Sequence, residues 1–295
     1  MPRARGASRS RPVAQVTAEA LRLAAAGFRE IVLSGINLGH YGRDLPQTPD
    51  FWDLLSAVGH ALDAAHPGMT RLRLSSLDPG MLTPKARDVL ASQPSVCPHL
   101  HVSLQSADPG VLAAMRRGHY RPAEVADFIA GLSRIWPVMA LGADILTGFP
   151  GESETAFRTT LEFCRALPLT YAHVFPYSRR PGSLAAGFPG HLPAGVKKER
   201  ARILRDMAKE KKTAFARTVA ALPRLTFVAE RVRPARGVCE YYLECRLDGP
   251  GQGGILPRQL VAAVPVGVAG TDATDILVRA ASARPRQAGP QGDAP

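Results

Sequence analysis

The sequence predicts an α/β fold, in which a parallel sheet or barrel carries helices on its outside and is followed by a small β-barrel. Short apolar strand patterns alternate with helical patterns throughout residues 13–177. That order is typical of parallel strands joined by crossover helices. Over residues 224–278 the pattern changes to short β-rich runs, separated by the glycine-rich segment DGPGQGG. Such runs favour a small β-barrel.

The first part of the chain contains six predicted helices and five predicted strands. Helices are predicted over residues 13–27, 51–65, 84–90, 110–116, 122–136 and 154–166, and strands over 30–33, 71–75, 100–104, 139–146 and 171–175. Gly27 stops the first helix, Asp50 precedes the second, and Pro84 lies in the first turn of the third. Arginine and leucine alternate in the second strand.

The second part begins with a connection over residues 182–193, which are rich in glycine, proline and alanine. A long helix is predicted over residues 196–222, where lysine and arginine outnumber the acids. A solvated helix face and an RNA-facing surface both account for that charge. The β-rich runs that follow are residues 225–228, 238–243 and 276–278. The low-complexity tail over 281–295 is expected to be disordered.

Length and charge limit the classes of protein to which the chain can belong. Its 295 residues, 45% of them hydrophobic, are enough for one large or two modest domains. The net charge of +12 favours a polyanionic partner such as nucleic acid. An arginine-rich composition from a GC-rich genome explains the same charge. We expect a cytoplasmic protein, because the sequence contains neither a long apolar run nor the apolar core of a signal peptide.

The residue types that bind metals form no standard site in this sequence. The four cysteines, which show no cluster or zinc spacing, are Cys97, Cys164, Cys239 and Cys245. Disulfides are not expected, since they are rare in a reducing cytosol, and Cys164 is expected to be a buried free thiol because it lies on a helix beside Phe163 and Leu167. His99 and His101 point to the same side of one strand. No third ligand is evident beside them, which favours a structural or substrate-lining role over metal binding.

Polar and glycine-rich segments follow every predicted strand. They are residues 34–37, 75–76, 105–106, 148–152 and 177–178. The carboxyl ends of parallel strands meet at one edge, where ligands bind. In the segment LGADILTGFPGE an apolar strand ends at Gly148, and an acidic stretch opens the next helix. A turn without a ligand explains that segment equally well, so the repetition along the chain carries the prediction of a site.

Five segments of the sequence, in the order in which they occur along the chain, carry a resemblance to a known family. They are LSGINLGHYGRDL (33–45), RLRLSSLDP (71–79), VCPHLHVSLQSADPGVLAAMRR (96–117), DILTGFPGE (144–152) and HVFPYSRRPGSLAA (173–186). Together they resemble the radical S-adenosylmethionine methylthiotransferases. The segments GINLGHYG and CPHLHVSLQS are most similar to the branch that modifies threonylcarbamoyladenosine at position 37 of tRNA. The resemblance covers the chain from about Arg5 to Ala186 and continues weakly into the C-terminal β region.

The resemblance implies a partial (β/α)6, TIM-like radical SAM barrel, followed by a small RNA-binding β domain of the TRAM type. The expected parts are a core over residues 1–186, a linker with the basic helix over 187–223, the β domain over 224–280 and the tail over 281–295. The implied cofactors are S-adenosylmethionine and [4Fe-4S] clusters, which generate a radical that takes a hydrogen from the substrate before sulfur and a methyl group are added. The implied partner is tRNA; the sulfur and electron donors are not specified.

The resemblance also implies residues that contact S-adenosylmethionine in two turns after strands. Gly35 and Asn37 match the turn that receives its amino end. Gln105 and Ser106 match the turn that meets its ribose or carboxylate side. For Asn37 and Gln105 the alternative is an ordinary turn residue that satisfies backbone groups.

Four further residues complete the implied set of cofactor contacts. Asp144, Leu146 and Gly148 match the strand that contacts adenine. Arg117 matches a basic position that could pair with the carboxylate, which suits a planar guanidinium. A solvent-facing arginine is the alternative for Arg117.

The sequence also departs from the family it resembles. The family holds its radical cluster through CxxxCxxC, just ahead of a segment that resembles residues 2–6, where this chain begins. The remaining cysteines cannot replace that motif by spacing, since cluster ligands must converge on one point. We therefore expect an inactive, N-terminally truncated methylthiotransferase that lacks the first barrel strand and has an open sheet edge at residues 30–33. Ser103, Ala107 and Ser183 replace residues that are usual in the family.

Several other functions stay open at this point. A non-catalytic RNA-binding remnant would use the basic helix and the β domain. A sibling methylthiotransferase would act on isopentenyladenosine in tRNA or on an aspartate of a ribosomal protein. A generic barrel enzyme would need paired carboxylates or a nucleophile with a base, and the sequence offers no convincing set.

Overall fold

The computed structural model describes residues 6–248 and 255–281 of the chain. Its first part confirms the predicted alternation of strands and helices. The strands are β1 (Glu30–Leu33), β2 (Arg71–Leu74), β3 (His99–Gln105), β4 (Ala140–Thr147) and β5 (Tyr171–Pro176). The helices are α1 (Val13–Ala25), α2 (Phe51–Ala65), α3 (Pro84–Ser92), α4 (Pro109–Ala114), α5 (Pro122–Ser133) and α6 (Glu154–Ala166). Side-chain caps define several starts: Asp50, Thr83 and Ser153 each accept a hydrogen bond from the first turn of their helix.

The five strands are parallel, but they form two sheets rather than the single sheet that the sequence predicts. Strands β1 and β2 pair with each other, and β3, β4 and β5 form the second sheet. Two isolated bridges join the sheets, one between Leu72 and Val96 and one between Leu77 and Val102. Leu72 and Leu77 are five residues apart in the sequence, whereas Val96 and Val102 are six apart, so a regular ladder cannot connect the two bridges. The sheet is therefore interrupted where β2 meets β3.

Strand β2 is buried on both faces, although its alternating sequence is typical of a half-exposed strand. Leu72 and Leu74 lie in the main apolar core. Arg71 and Arg73 are only 7% and 3% exposed. Their Nε atoms donate to the two carboxylate oxygens of Glu30, at 2.7 Å and 2.6 Å. Burial of the two charges is tolerable because the carboxylate neutralises part of them and the guanidinium donors find acceptors.

The C-terminal β region is a closed five-stranded barrel. Its strands are β6 (Leu225–Val232), β7 (Ala235–Cys239), β8 (Glu244–Leu247), β9 (Leu260–Ala269) and β10 (Asp275–Ala280), in the order β10-β8-β7-β6-β9. Phe227, Cys239 and Ile276 are fully buried in its core. The strand predicted over residues 238–243 is wrong in part, because the chain turns after Cys239 and pairs back on itself as β8.

The same two arginines of β2 join the sheet to this barrel. Arg71 donates to the carbonyl of Val238 at 2.7 Å, and Arg73 donates to the carbonyl of Cys239 at 2.9 Å. Beside them, the ring of Tyr242 stacks on His99 with the centroids 4.4 Å apart. Since Arg71 and His99 are the first residues of β2 and β3, the barrel covers the amino ends of the strands. Among the described residues, the opposite, carboxyl ends of the strands have no contact with the barrel.

Helix α7 (Ala194–Ala220) connects the two parts and is neither a plain solvated face nor a free basic surface. Apolar residues along it, Leu204 and Met207 among them, lie in the main core. Most of its basic side chains bind protein groups. Those with a partner among the described residues are Lys197, Arg200, Arg202, Arg205, Lys209 and Lys211. Arg200, Arg205 and Lys211 thus use their charge to dock the helix, whereas Arg202 pairs with acids of α7 itself.

The outer edge of β1 is open within the described residues, as the sequence predicts. Strand β1 pairs only with β2, and Val32 on it is 53% exposed. A cavity of about 1060 Å³ lies between β1, helix α1 and residues 6–11. Among the described helices none is both long and apolar enough to span a membrane. The predicted disordered tail, apart from Ala281, falls outside the described residues.

Candidate functional site

The turn after β1 contains the first two residues that the resemblance assigns to S-adenosylmethionine. Gly35 and Asn37 are both exposed and line the cavity beside β1. The Oδ1 atom of Asn37 accepts a hydrogen bond of 3.0 Å from the backbone of Gly39 and so caps the short helix Leu38–His40. Asn37 therefore performs the ordinary turn role, while its amide nitrogen stays available at the cavity wall.

The turn after β3 is held by contacts within the protein. Gln105 has a φ of +62°, which turns the chain sharply at the end of the strand, and its side chain is partly exposed. Ser106 is buried; its hydroxyl pairs with Thr160 at 3.0 Å and accepts from the backbone of Asp108 at 3.1 Å. The hydroxyl of Ser106 therefore supports the turn, and the cofactor contact of both residues stays a prediction.

The GFPGE turn after β4 closes on itself through Glu152. The backbone nitrogen of Gly148 donates to the carboxylate of Glu152 at 2.7 Å, and Arg200 donates to the same oxygen at 2.6 Å. Glu152 is 2% exposed and Arg200 is 6% exposed. Burial raises the pKa of Glu152 above its ordinary value, and these hydrogen bonds offset only part of that effect. The Gly148 N–H is therefore satisfied within the chain, and the contact of Gly148 with adenine stays a prediction.

Replacing Gly148 by alanine is expected to destabilise the protein by about 1–2 kcal/mol, because Gly148 has a φ of +75° that an L residue adopts only with strain. The new Cβ would also meet the Lys197 side chain, which docks α7 here. Urea unfolding measures the change. The control is Gly187→Ala, whose Cβ meets nothing within 4 Å. Equal stability of the two variants would contradict a strained turn.

Arg117 lies beside an aspartate at the carboxyl end of the sheet. Its Nη1 atom is 3.4 Å from Asp78 and 3.3 Å from the carbonyl of Ser103. His119 contacts the other oxygen of Asp78 at 2.7 Å. Asp78 was not predicted to be a site residue. Its carboxylate pairs with the guanidinium of Arg117, the group that was predicted to bind a cofactor carboxylate. The predicted pairing would therefore have to compete with Asp78.

Asp144 and Leu146 lie two residues apart on the same face of β4. Leu146 packs beside Phe149 and Tyr177 near the strand end. The Oδ1 atom of Asp144 is 3.0 Å from His101 Nε2 and 3.4 Å from His173 Nδ1. Burial acts to raise the pKa of Asp144, but His101 and His173 outweigh it and hold the pKa below its ordinary value. The carboxylate that was predicted to contact adenine thus faces two imidazoles.

Tyr171 links the two histidines of β3 behind this cluster. Its hydroxyl is 2.8 Å from His99 Nε2 and 2.9 Å from His101 Nδ1. Gly142 makes the arrangement possible, because a Cβ there would collide with the Tyr171 ring and lie 2.6 Å from His101 Nδ1. Sequence reasoning placed His99 and His101 on one face correctly but missed Tyr171 and His173, which follow the same two-residue spacing on β5.

The cysteines do not fit an iron–sulfur cluster. All four are free and buried, Cys164 as predicted; Cys239 and Cys245 lie together in the small barrel, and Cys97 lies near Arg73, which contacts Cys239. Burial raises the pKa of Cys97 to about 11 and that of Cys164 to about 12, which disfavours the thiolate that binds iron. No three of these cysteines converge on one point.

The family follows from a comparison with known proteins. The family model of the Radical SAM superfamily matches residues 1–164, more than half of the chain. The chain belongs to the radical SAM superfamily. Enzymes of this superfamily use S-adenosylmethionine together with [4Fe-4S] clusters. The match covers strands β1 to β4 and helices α1 to α5 together with most of α6.

Curated relatives within the radical SAM superfamily are tRNA-modifying enzymes by name. The chain is 38% identical over 205 residues to the threonylcarbamoyladenosine tRNA methylthiotransferase MtaB of Rickettsia prowazekii, covering 70% of this chain and 47% of the relative. It is 33% identical over 263 residues to MtaB of Aquifex aeolicus, covering 88% and 61%. It is 35% identical over 214 residues to the tRNA-2-methylthio-N(6)-dimethylallyladenosine synthase of Chloroflexus aurantiacus, covering 71% and 45%. The chain thus spans roughly half the length of these relatives.

Proposed function

We propose that this chain is the barrel and C-terminal part of a tRNA methylthiotransferase that acts on N6-threonylcarbamoyladenosine at position 37. The observation that carries the proposal is the similarity to MtaB relatives, which covers 70% of the chain for the Rickettsia prowazekii protein and 88% for the Aquifex aeolicus protein. The net charge of +12 suits a tRNA partner. The small barrel would serve as a TRAM-type RNA-binding module.

S-adenosylmethionine suits the groups that the structure leaves free at the carboxyl ends of the strands. Gly35 and Asn37 line an open cavity large enough for a ligand of that size, and the amide of Asn37 can bind its charged amino acid end. Gln105 is partly exposed at the end of β3. When bound, S-adenosylmethionine supplies the radical precursor and the methyl group. In this proposal the chain's own residues bind and orient it and exclude water from the reacting carbon.

The residues of this chain do not fit an iron–sulfur cluster, since its four cysteines are buried and no three of them lie close enough to share one ion. The proposed activity therefore requires cysteines supplied from outside this sequence. Two other functions have some support. The similarity to a dimethylallyladenosine synthase favours a sibling methylthiotransferase. The unsuitable cysteines favour a non-catalytic RNA-binding protein.

A fusion tests the proposal. The N-terminal segment of the Aquifex aeolicus relative, which precedes its match to this chain, would be joined to residue 6, and the fusion expressed in bacteria that lack tRNA methylthiotransferases. We expect 2-methylthio-threonylcarbamoyladenosine in the digested tRNA by mass spectrometry. The unfused chain, and a fusion whose added cysteines are changed to alanine, should give none.

Two results would overturn the proposal in different ways. A methylthio derivative of dimethylallyladenosine alone would assign the chain to the sibling activity. A folded fusion that binds tRNA in a salt-dependent manner but forms neither product would support the RNA-binding function.

A further inference from the structure

Three side chains from neighbouring strands converge on one face of the sheet formed by β3, β4 and β5. His101 of β3 pairs in register with Gly142 of β4, and Asp144 of β4 pairs with His173 of β5. One nitrogen or oxygen atom from each of His101, Asp144 and His173 lies within 4.8 Å of the other two. We propose that these three residues form a binding site for a divalent transition-metal ion, of the class of Zn²⁺ or Fe²⁺.

The spacing of the three atoms suits such an ion. The Oδ1 atom of Asp144 lies 3.0 Å from His101 Nε2 and 3.4 Å from His173 Nδ1. An ion bound at about 2.0–2.2 Å by tetrahedral ligands holds those ligands on the order of 3.3–3.6 Å apart. An ion would therefore require shifts of only a few tenths of an ångström at these two pairs.

The surroundings of His101 direct the correct nitrogen to the ion. A histidine that binds a metal usually has its other ring nitrogen hydrogen bonded, which fixes the ring. Tyr171 supplies that contact: its oxygen can accept from His101 Nδ1 while its proton is donated to His99 Nε2. His101 Nε2 then presents its lone pair towards Asp144. Gly142 leaves the space that the Tyr171 ring needs to reach both histidines.

The site is enclosed on one side and open on the other. The side chain of His101 is 8% exposed and that of Asp144 is 20% exposed, whereas His173 is 56% exposed. Three protein ligands with one open side are typical of metal sites that keep a position for water or substrate. Two imidazoles and one carboxylate suit zinc or ferrous iron, and they differ in kind from the thiolates of an iron–sulfur cluster. On this proposal Asp144 binds the metal ion and not adenine.

Metal titration of the 295-residue chain tests the site. The protein would be stripped with a chelator and titrated with Zn²⁺ by calorimetry, and with Co²⁺ by visible absorption. We expect one equivalent to bind, a tetrahedral Co²⁺ spectrum without a thiolate band, and a rise in the melting temperature with Zn²⁺. His173→Ala and Asp144→Asn should each weaken binding by more than ~10-fold, and Tyr171→Phe by about 10-fold.

His119→Ala is the matched control, because His119 also contacts an aspartate, Asp78, but has no third ligand within reach among the described residues. It should bind Zn²⁺ like the unchanged chain. His173 is the exposed member of the cluster, so its variant should keep the melting temperature of the metal-free protein. No saturable binding, equal binding by His173→Ala, or a thiolate band with Co²⁺ would overturn the proposal. Neither tRNA nor S-adenosylmethionine enters this test, so its outcome is independent of the proposed methylthiotransferase function.

Discussion

Replacing Glu30 by alanine is expected to lower the free energy of unfolding by about 3–5 kcal/mol, because it removes the shared counter-charge of two buried arginines and leaves Arg71 with the more distant carboxylate of Glu240, at 3.7 Å. Arg71 and Arg73 donate to Glu30 at 2.7 Å and 2.6 Å, and the Arg73 Nη2 atom donates to it at 2.9 Å. Urea unfolding at neutral pH, monitored by circular dichroism, measures the loss. The control is Glu19→Ala, which removes only an exposed pair with Arg22 and should change stability by less than ~0.5 kcal/mol.

Because Glu30 can take up a proton, the loss of stability in Glu30→Ala should depend on pH. Burial acts to raise the pKa of Glu30, but the two arginines outweigh it and hold the pKa below its ordinary value. A carboxyl group with a lowered pKa in the folded state stabilises the protein above its unfolded pKa and ceases to do so as the pH falls through the folded one. The difference between the unchanged chain and Glu30→Ala should therefore shrink in acid. A difference that is constant down to acidic pH would contradict an ionic role for Glu30.

The second large effect is expected for Arg200→Ala, which should also cost about 3–5 kcal/mol at neutral pH. Arg200 donates to the side chain of Glu152 at 2.6 Å and to its backbone carbonyl at 3.0 Å, in a buried position. Without it, Glu152 is a buried carboxylate held only by the Gly148 backbone and Thr147. Arg202→Ala is the control, since its partners Glu199 and Asp206 lie with it on the exposed face of α7.

The loss of stability in Arg200→Ala should also depend on pH, because its unpaired partner Glu152 can take up a proton. Burial already raises its pKa, and removal of Arg200 raises it further. As the pH falls through that value, Glu152 takes up a proton and the unpaired charge disappears, so the variant should regain part of its stability. Chemical unfolding of both proteins at several pH values measures this. A cost that grows on acidification would contradict the assignment.

The main elements of the α/β part could be predicted because local patterns determine them. Helix α6, for example, begins after a serine cap and buries one apolar face, and β4 is a run of apolar residues that ends at a glycine. Strand β9 was not predicted, although it is the longest strand of the barrel. It contains alanines, a glycine and Pro265, which have low strand propensity. Strand β9 is stabilised by pairing with β6 and β10, which lie elsewhere in the sequence.

The candidate site could be predicted in part for the same reason. The two-residue spacing of a strand places His99 and His101 on one face, and it places Asp144 and Leu146 on one face of β4. Which of these faces meet depends on the order and register of β3, β4 and β5, and no local pattern contains that information. The contact between Asp144 and the two histidines therefore had to come from the structure. The same holds for Arg200, which sequence patterning assigned to an exposed basic helix.

The contacts of Arg71 have a consequence for how the protein is made. Its hydrogen bonds reach across 155 residues of chain to Thr226 and across 167 residues to Val238. Synthesis proceeds from the amino terminus, so the strands of the α/β part are made before these carbonyls exist. Until then the amino ends of its strands lack the cover of Tyr242, and the two arginines have Glu30 as their partner but not the barrel. Contacts of β2 with β6 and β7 therefore form only after the α/β part has been made, which makes docking of the small barrel a long-range event.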